Sequence, residues 1–67
     1  MNQYLIRYKL HTHVYMGKGF TSKWKLVFVN AISEVEALQK LKKKKEYSEE
    51  GGDSRYLTEH EFIETIN

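Results

Sequence analysis

From Tyr4 to Tyr15 the chain alternates. Tyr4, Ile6, Tyr8, Leu10 and Val14 fall on one side of an extended backbone, broken only by Thr12, while Arg7, Lys9, His11 and His13 fall on the other. A period of two in β-rich residues marks a strand with one face buried and the other wet. A strand cannot bury that face alone, so the rest of the chain must supply neighbours and a cover.

Gly17-Lys18-Gly19 supplies turn chemistry, and residues 20–32 read as a second strand around Trp24-Lys25-Leu26-Val27-Phe28-Val29. Turn length decides which face each residue takes, because a one-residue slip inverts every side chain. A two-residue loop at Gly17-Lys18 pairs Met16 with Gly19 and sets Lys23 and Lys25 beside Tyr8 and Leu10. A three-residue loop pairs Met16 with Phe20, sets Trp24, Leu26 and Phe28 beside Leu10 and Tyr8, and leaves Lys23 and Lys25 beside His13 and His11. Burial of the larger side chains favours the second arrangement.

Ser33-Glu34-Val35-Glu36 is a capping box, with Ile32 and Ala37 at the staple positions. It predicts a helix from Glu34 to Lys45 with Val35, Leu38 and Leu41 on the buried stripe, its acids early and its lysines late as the macrodipole prefers. Tyr47 to Ser54, containing Gly51-Gly52-Asp53, reads as a solvated linker. The last segment, Arg55–Asn67, has two readings. Thr58-x-x-Glu61 is a second capping box, with Leu57 and Phe62 at staple positions, and fits a short helix. A third strand returning along the first would complete a sheet that a hairpin and one helix leave marginal, and this reading is favoured. The expected fold is α+β: a small antiparallel sheet, a β-hairpin plus a third C-terminal strand, packed against one helix in the order ββαβ, with residues 1–67 as a single small domain.

A chain of 67 residues buries only about 60% of its unfolded surface. It has no cysteine, so neither disulfides nor thiolate zinc sites can reinforce it, which fits a reducing cytoplasm. No apolar run approaches the ~18 residues of a membrane span, and Met-Asn-Gln-Tyr-Leu-Ile-Arg does not read as a signal peptide. Charge is divided: residues 1–45 hold ten Lys/Arg against two acids, and residues 46–67 hold one base against seven acids. A basic body with an acidic C-terminal third suits docking onto a charged partner.

His11-Thr12-His13 has zinc half-site geometry, and His60 with Glu59 or Glu61 could complete it; the plainer reading is two solvent-facing histidines beside Lys9 and Lys25, and no metal is assigned. No serine lies in a nucleophile motif, and the acid pairs Glu49/Glu50 and Glu59/Glu61 sit in a charge-rich tail. Gly17-Lys18-Gly19 lacks the Walker spacing. The chain therefore reads as a non-enzyme without cofactors.

Two binding readings remain. In the favoured register Arg7, Lys9, His11, Lys23 and Lys25 share a face with Val27 and Val29, a platform for nucleic-acid phosphates. The other reading is a protein-binding module, supported by the charge polarity and by sheet edges open to strand addition. Glu59, Glu61 and Glu64 would then either mimic phosphate or shield the basic face. A small core, free edges and exposed Val27 and Val29 also suggest a homodimer.

The run Val27-Phe28-Val29-Asn30-Ala31-Ile32-Ser33-Glu34-Val35-Glu36-Ala37-Leu38 resembles a pattern in small phage and mobile-element proteins, where a strand ending in Val-x-Ala-x-Ser feeds an amphipathic helix of a ββαβ unit. The likeness covers residues 4–45 in layout and about twelve in sequence. It implies an inhibitor or modulator of a host protein or nucleoprotein complex, for example an anti-defence factor, in the host cytoplasm. It transfers no functional residues.

Overall fold

The computed structural model describes residues 1–48 and 53–67. β1 (Asn2–His13) is the central strand, and it obeys the alternation: Tyr4, Ile6, Tyr8, Leu10 and Thr12 are buried, and their odd-numbered neighbours are not. Along one side it pairs with β2 (Phe20–Thr21) and β3 (Lys25–Ala31), and along the other with β5 (Ser54–Ile66). The short β4 (Tyr47–Ser48) pairs with the start of β5, and every pairing is antiparallel. The helix α1 (Glu34–Lys45) packs on one face, giving the expected α+β arrangement with the C-terminal segment as a strand along the first.

The register differs from the favoured one. Tyr8 faces Lys25, Ile6 faces Val27 and Tyr4 faces Val29, so Val27, Val29 and Ala31 lie on the core side. Trp24, Leu26 and Phe28 are exposed. The cause is a break in what the sequence shows as one strand. His11 faces Thr21 and Tyr8 faces Lys25, so Lys9 and Leu10 of β1 are spanned by Ser22, Lys23 and Trp24. One extra residue reverses the faces of everything after it. Ser22 covers the gap: its N–H donates to the Leu10 carbonyl at 2.7 Å, and its hydroxyl accepts the Leu10 N–H at 3.0 Å.

The connection into the helix then selects the buried face. Only Ile32 and Ser33 separate β3 from α1, so the helix folds back on the side where Ala31 points, and Ala31 and Ala37 are both fully buried. Small residues at this contact let helix and sheet approach closely.

The tight turn also lies earlier than Gly17-Lys18-Gly19. Gly17 N–H donates to the Val14 carbonyl at 3.1 Å, and Met16 takes the left-handed φ of 56°. Gly19 serves close approach instead, since a Cβ there would stand 2.6 Å from the Thr12 carbonyl oxygen.

α1 has the expected bounds, and Ser33 caps it by accepting the Glu36 N–H at 3.2 Å. The return half of the capping box is absent, for the Glu36 carboxylate lies 3.1 Å from Lys40 Nζ. Its buried residues are Ala37 and Leu41, with Leu38 half-buried. Val35 and Ile32, expected on the stripe and in a staple, are each 69% exposed. The stripe is rotated because the alanine side, rather than the bulkier valine side, fits against β3.

The linker begins later than expected, since Tyr47 and Ser48 form β4; residues 49–52, including the Glu49/Glu50 pair and Gly51-Gly52, lie outside the described residues. Glu46 caps the helix end with its N–H on the Lys42 carbonyl, and its carboxylate accepts the Leu57 N–H at 2.8 Å. In β5, register shifts skip Thr58 and Ile63. These bulges bring Leu57 opposite Leu10 and Phe62 opposite Ile6, where Phe62 meets Tyr4 edge-on at 5.9 Å. Thr58 therefore sits at a bulge, with its hydroxyl 3.5 Å from the Lys9 carbonyl oxygen.

Candidate protein-docking face

The helix covers one side of the sheet, and the opposite side has no layer over it among the described residues. On this open side lie Leu5, Arg7, Lys9 and His11 from β1, opposed by Glu64, Glu61, Glu59 and Tyr56 of β5. Leu26 and Phe28 of β3 pair with Arg7 and Leu5. The face thus runs from an apolar strip on β3, through cations on β1, to acids on β5.

Trp24 is its centre. The Arg7 guanidinium carbon lies 4.3 Å from the indole centroid and Lys9 Nζ 4.7 Å from it. Both cations are held from the other side: Arg7 Nε donates to Glu61 Oε2 at 2.9 Å, a second Arg7 nitrogen pairs with the same oxygen, and Lys9 Nζ lies 3.4 Å from Glu59. Cation–π and ionic contacts on both sides of each cation favour one arrangement of the indole. The surface around it is apolar and wet, with Trp24 41%, Leu26 65% and Phe28 56% exposed.

Six of the singled-out residues share this face: Arg7, Lys9, His11, Glu59, Glu61 and Glu64. Lys25 does not join them, and Lys23 makes no hydrogen bond or ion pair with them. Lys25 faces Tyr8 on the helix side, where Lys45 Nζ stands 6.0 Å from the Tyr8 ring, and Lys23 sits in the bulged segment between β2 and β3. Val27 and Val29 also lie on the helix side. The expected platform of five basic residues with two valines is therefore not assembled, because the bulge divides it between the two faces.

The histidines separate too. His11 Nδ1 is 2.8 Å from the Thr21 hydroxyl and its ring 5.3 Å from Tyr56 on the open side, whereas His60 faces Tyr8. No group of three or more His, Cys, Asp or Glu among the described residues is placed to hold a metal ion.

Sequence reasoning missed Trp24, Leu26 and Phe28 as surface residues. The usable signal was Ala31: a small residue two positions before the helix cap marks the side on which the helix lands, and Val29 and Val27 share its parity.

No family model, curated protein or solved structure matches the chain. No helix among the described residues is long and apolar enough to cross a membrane.

Proposed function

We propose that this chain is a non-enzymatic binding protein that works by covering a surface of a protein partner with the open face of its sheet. The carrying observation is Trp24 and its apolar neighbours Leu26 and Phe28, exposed beside cations already matched by acids. Trp and Arg dominate protein–protein hot spots, and a contiguous apolar patch of this kind marks an interaction surface. The molecule extends 44 × 22 × 13 Å, so its broad face has room for the ~800 Å² per partner of a standard interface. Inhibition or modulation of a host protein or nucleoprotein complex, the habit of the phage proteins that the sequence resembles, is the form of activity this reading favours.

Nucleic-acid binding is the competing reading, and it draws less from the geometry. Arg7 and Lys9 are paired with Glu61 and Glu59, and Lys25 lies on the other side of the sheet.

The test uses folded wild type, Trp24→Ala and Phe28→Ala, with Val35→Ala as an exposed apolar control away from the face. A partner recovered from host extract, then purified, should bind wild type and the control and lose at least tenfold in affinity with the two face variants. Equal binding by all four proteins overturns the assignment of the face. Micromolar, steeply salt-dependent binding to labelled single- or double-stranded DNA or RNA, unaffected by Trp24→Ala, overturns the protein-binding reading in favour of nucleic acid.

A further inference from the structure

The hydrogen-bond phase of β1 exposes a second feature. Leu10 turns its N–H and carbonyl toward Ser22, so the even-numbered residues of β1 address the β2–β3 side. In an antiparallel ladder the pairs that exchange bonds alternate with those that do not. Tyr8–Lys25, Ile6–Val27, Tyr4–Val29 and Asn2–Ala31 are then the bonded pairs, and Leu26, Phe28 and Asn30 turn their backbone groups outward. Lys40 confirms the phase by donating from Nζ to the Asn30 carbonyl at 2.8 Å. No other strand lies outside β3 among the described residues.

Beside this edge is a cavity of about 220 Å³ lined by Val27, Phe28, Val29, Asn30, Lys40, Leu41 and Lys44. The other outer edge, on β5, is guarded: it is bulged twice, carries Glu59, Glu61 and Glu64, and has its Leu57 N–H taken by Glu46. Bulges and charges are the usual protection of sheet edges. β3 has the opposite character, with Leu26-Val27-Phe28-Val29 in sequence.

We propose that the β3 edge receives an extended segment of a partner protein as an added strand, with an apolar side chain in the cavity and flanking acidic side chains at Lys40 and Lys44. Strand addition draws affinity from main-chain bonds and selectivity from alternate side chains. The outward groups of Leu26 and Phe28 supply the bonds. Val27, Val29 and Leu41 supply the apolar floor. Lys44 makes no ion pair among the described residues, whereas Lys40 keeps its 3.1 Å pairing with Glu36 and gives up only the Asn30 carbonyl when an incoming N–H replaces it there. A second copy fits less well, since pairing β3 with its own symmetry mate brings Lys40 and Lys44 of both chains together across the two-fold axis, and like charges disfavour that. This proposal rests on the reading of the chain as a protein-binding module, but it uses the edge rather than the indole.

The probe is a fluorescein-labelled heptapeptide, Ser-Glu-Ile-Val-Ile-Glu-Ser, whose Glu-Val-Glu phase would face the cavity. It should bind the full chain with micromolar affinity. Replacing both glutamates by lysine, or using Lys40→Ala/Lys44→Ala protein, should weaken binding by about tenfold or more. N-methylating the amides of one phase should abolish binding, while methylating the other phase leaves it within about threefold. Trp24→Ala should leave peptide binding unchanged, so failure of the open face and failure of the edge are read separately. Absence of binding to folded protein, or equal loss from methylating either phase, overturns the proposal. So does a dimer by light scattering that is lost in Phe28→Pro, because a second copy would then occupy the edge.

Discussion

Ser22 bonds Leu10 twice, donating its N–H to the Leu10 carbonyl at 2.7 Å and accepting the Leu10 N–H on its hydroxyl at 3.0 Å. This one side chain keeps a central-strand amide satisfied where the neighbouring strand bulges. Ser22→Ala leaves the N–H of buried Leu10 without its acceptor and should destabilise the fold by about 1–2 kcal/mol. Ser22→Thr, which keeps the hydroxyl, should lose less. Urea denaturation of the three proteins measures the difference, and an alanine variant as stable as wild type would show that water replaces the hydroxyl.

That bond also explains where sequence reasoning succeeds and fails. The alternation of Tyr4 to Leu10 and the Ser33 cap are local signals, and both elements form as they predict. The return of the C-terminal segment along β1 follows from the need to bury both sides of that strand, and it is also observed. The bulge is different. Ser22-Lys23-Trp24 carries no glycine or proline to announce a break, so Lys25-Leu26-Val27-Phe28-Val29 reads as apolar on whichever parity the larger side chains choose. The face of Trp24, and with it the candidate site, was therefore hidden behind one unpaired residue. Arg7, Lys9, Glu59 and Glu61 were legible as candidates, but their mutual pairing needed the β1–β5 register.

The rotated helix stripe has a direct consequence for stability. Leu41 is 1% exposed and Val35 69% exposed. Leu41→Ala should cost about 2–4 kcal/mol as a core truncation, a large part of the stability of so small a domain. Val35→Ala should stay within about 0.5 kcal/mol. A thermal melt that ranks the two variants the other way would return the stripe to Val35.

Gly19 stands where the chain passes close to β1. An added Cβ would lie 2.6 Å from both the Thr12 carbonyl oxygen and His11 Nε2. The imidazole can swing aside, but the carbonyl belongs to the central strand. Gly19→Ala should therefore cost about 1–3 kcal/mol by overpacking. Gly17→Ala meets only the Val14 methyl at 3.3 Å and should be milder. Equal denaturation midpoints for the two variants would place the loop further from β1.

The pairing of Arg7 with Glu61 and of Lys9 with Glu59 makes the acidic strand a mask over the cations of the central one. Both pairs are partly exposed, so each contributes no more than about 1 kcal/mol to stability. Glu59→Gln/Glu61→Gln should consequently fold with little loss. Its effect on charge is larger, because two cations are released on a face that also carries Trp24. Affinity for a labelled DNA duplex at low salt should rise relative to wild type, and the slope of log affinity against log salt should steepen by up to about two, one for each freed cation. Adding Arg7→Ala and Lys9→Ala to the same background should remove that gain, which assigns it to these side chains rather than to the loss of acid elsewhere. Fluorescence anisotropy at several salt concentrations reads all three proteins. A duplex affinity that does not change when the carboxylates are removed would mean that Glu59 and Glu61 lie beside Arg7 and Lys9 without masking them.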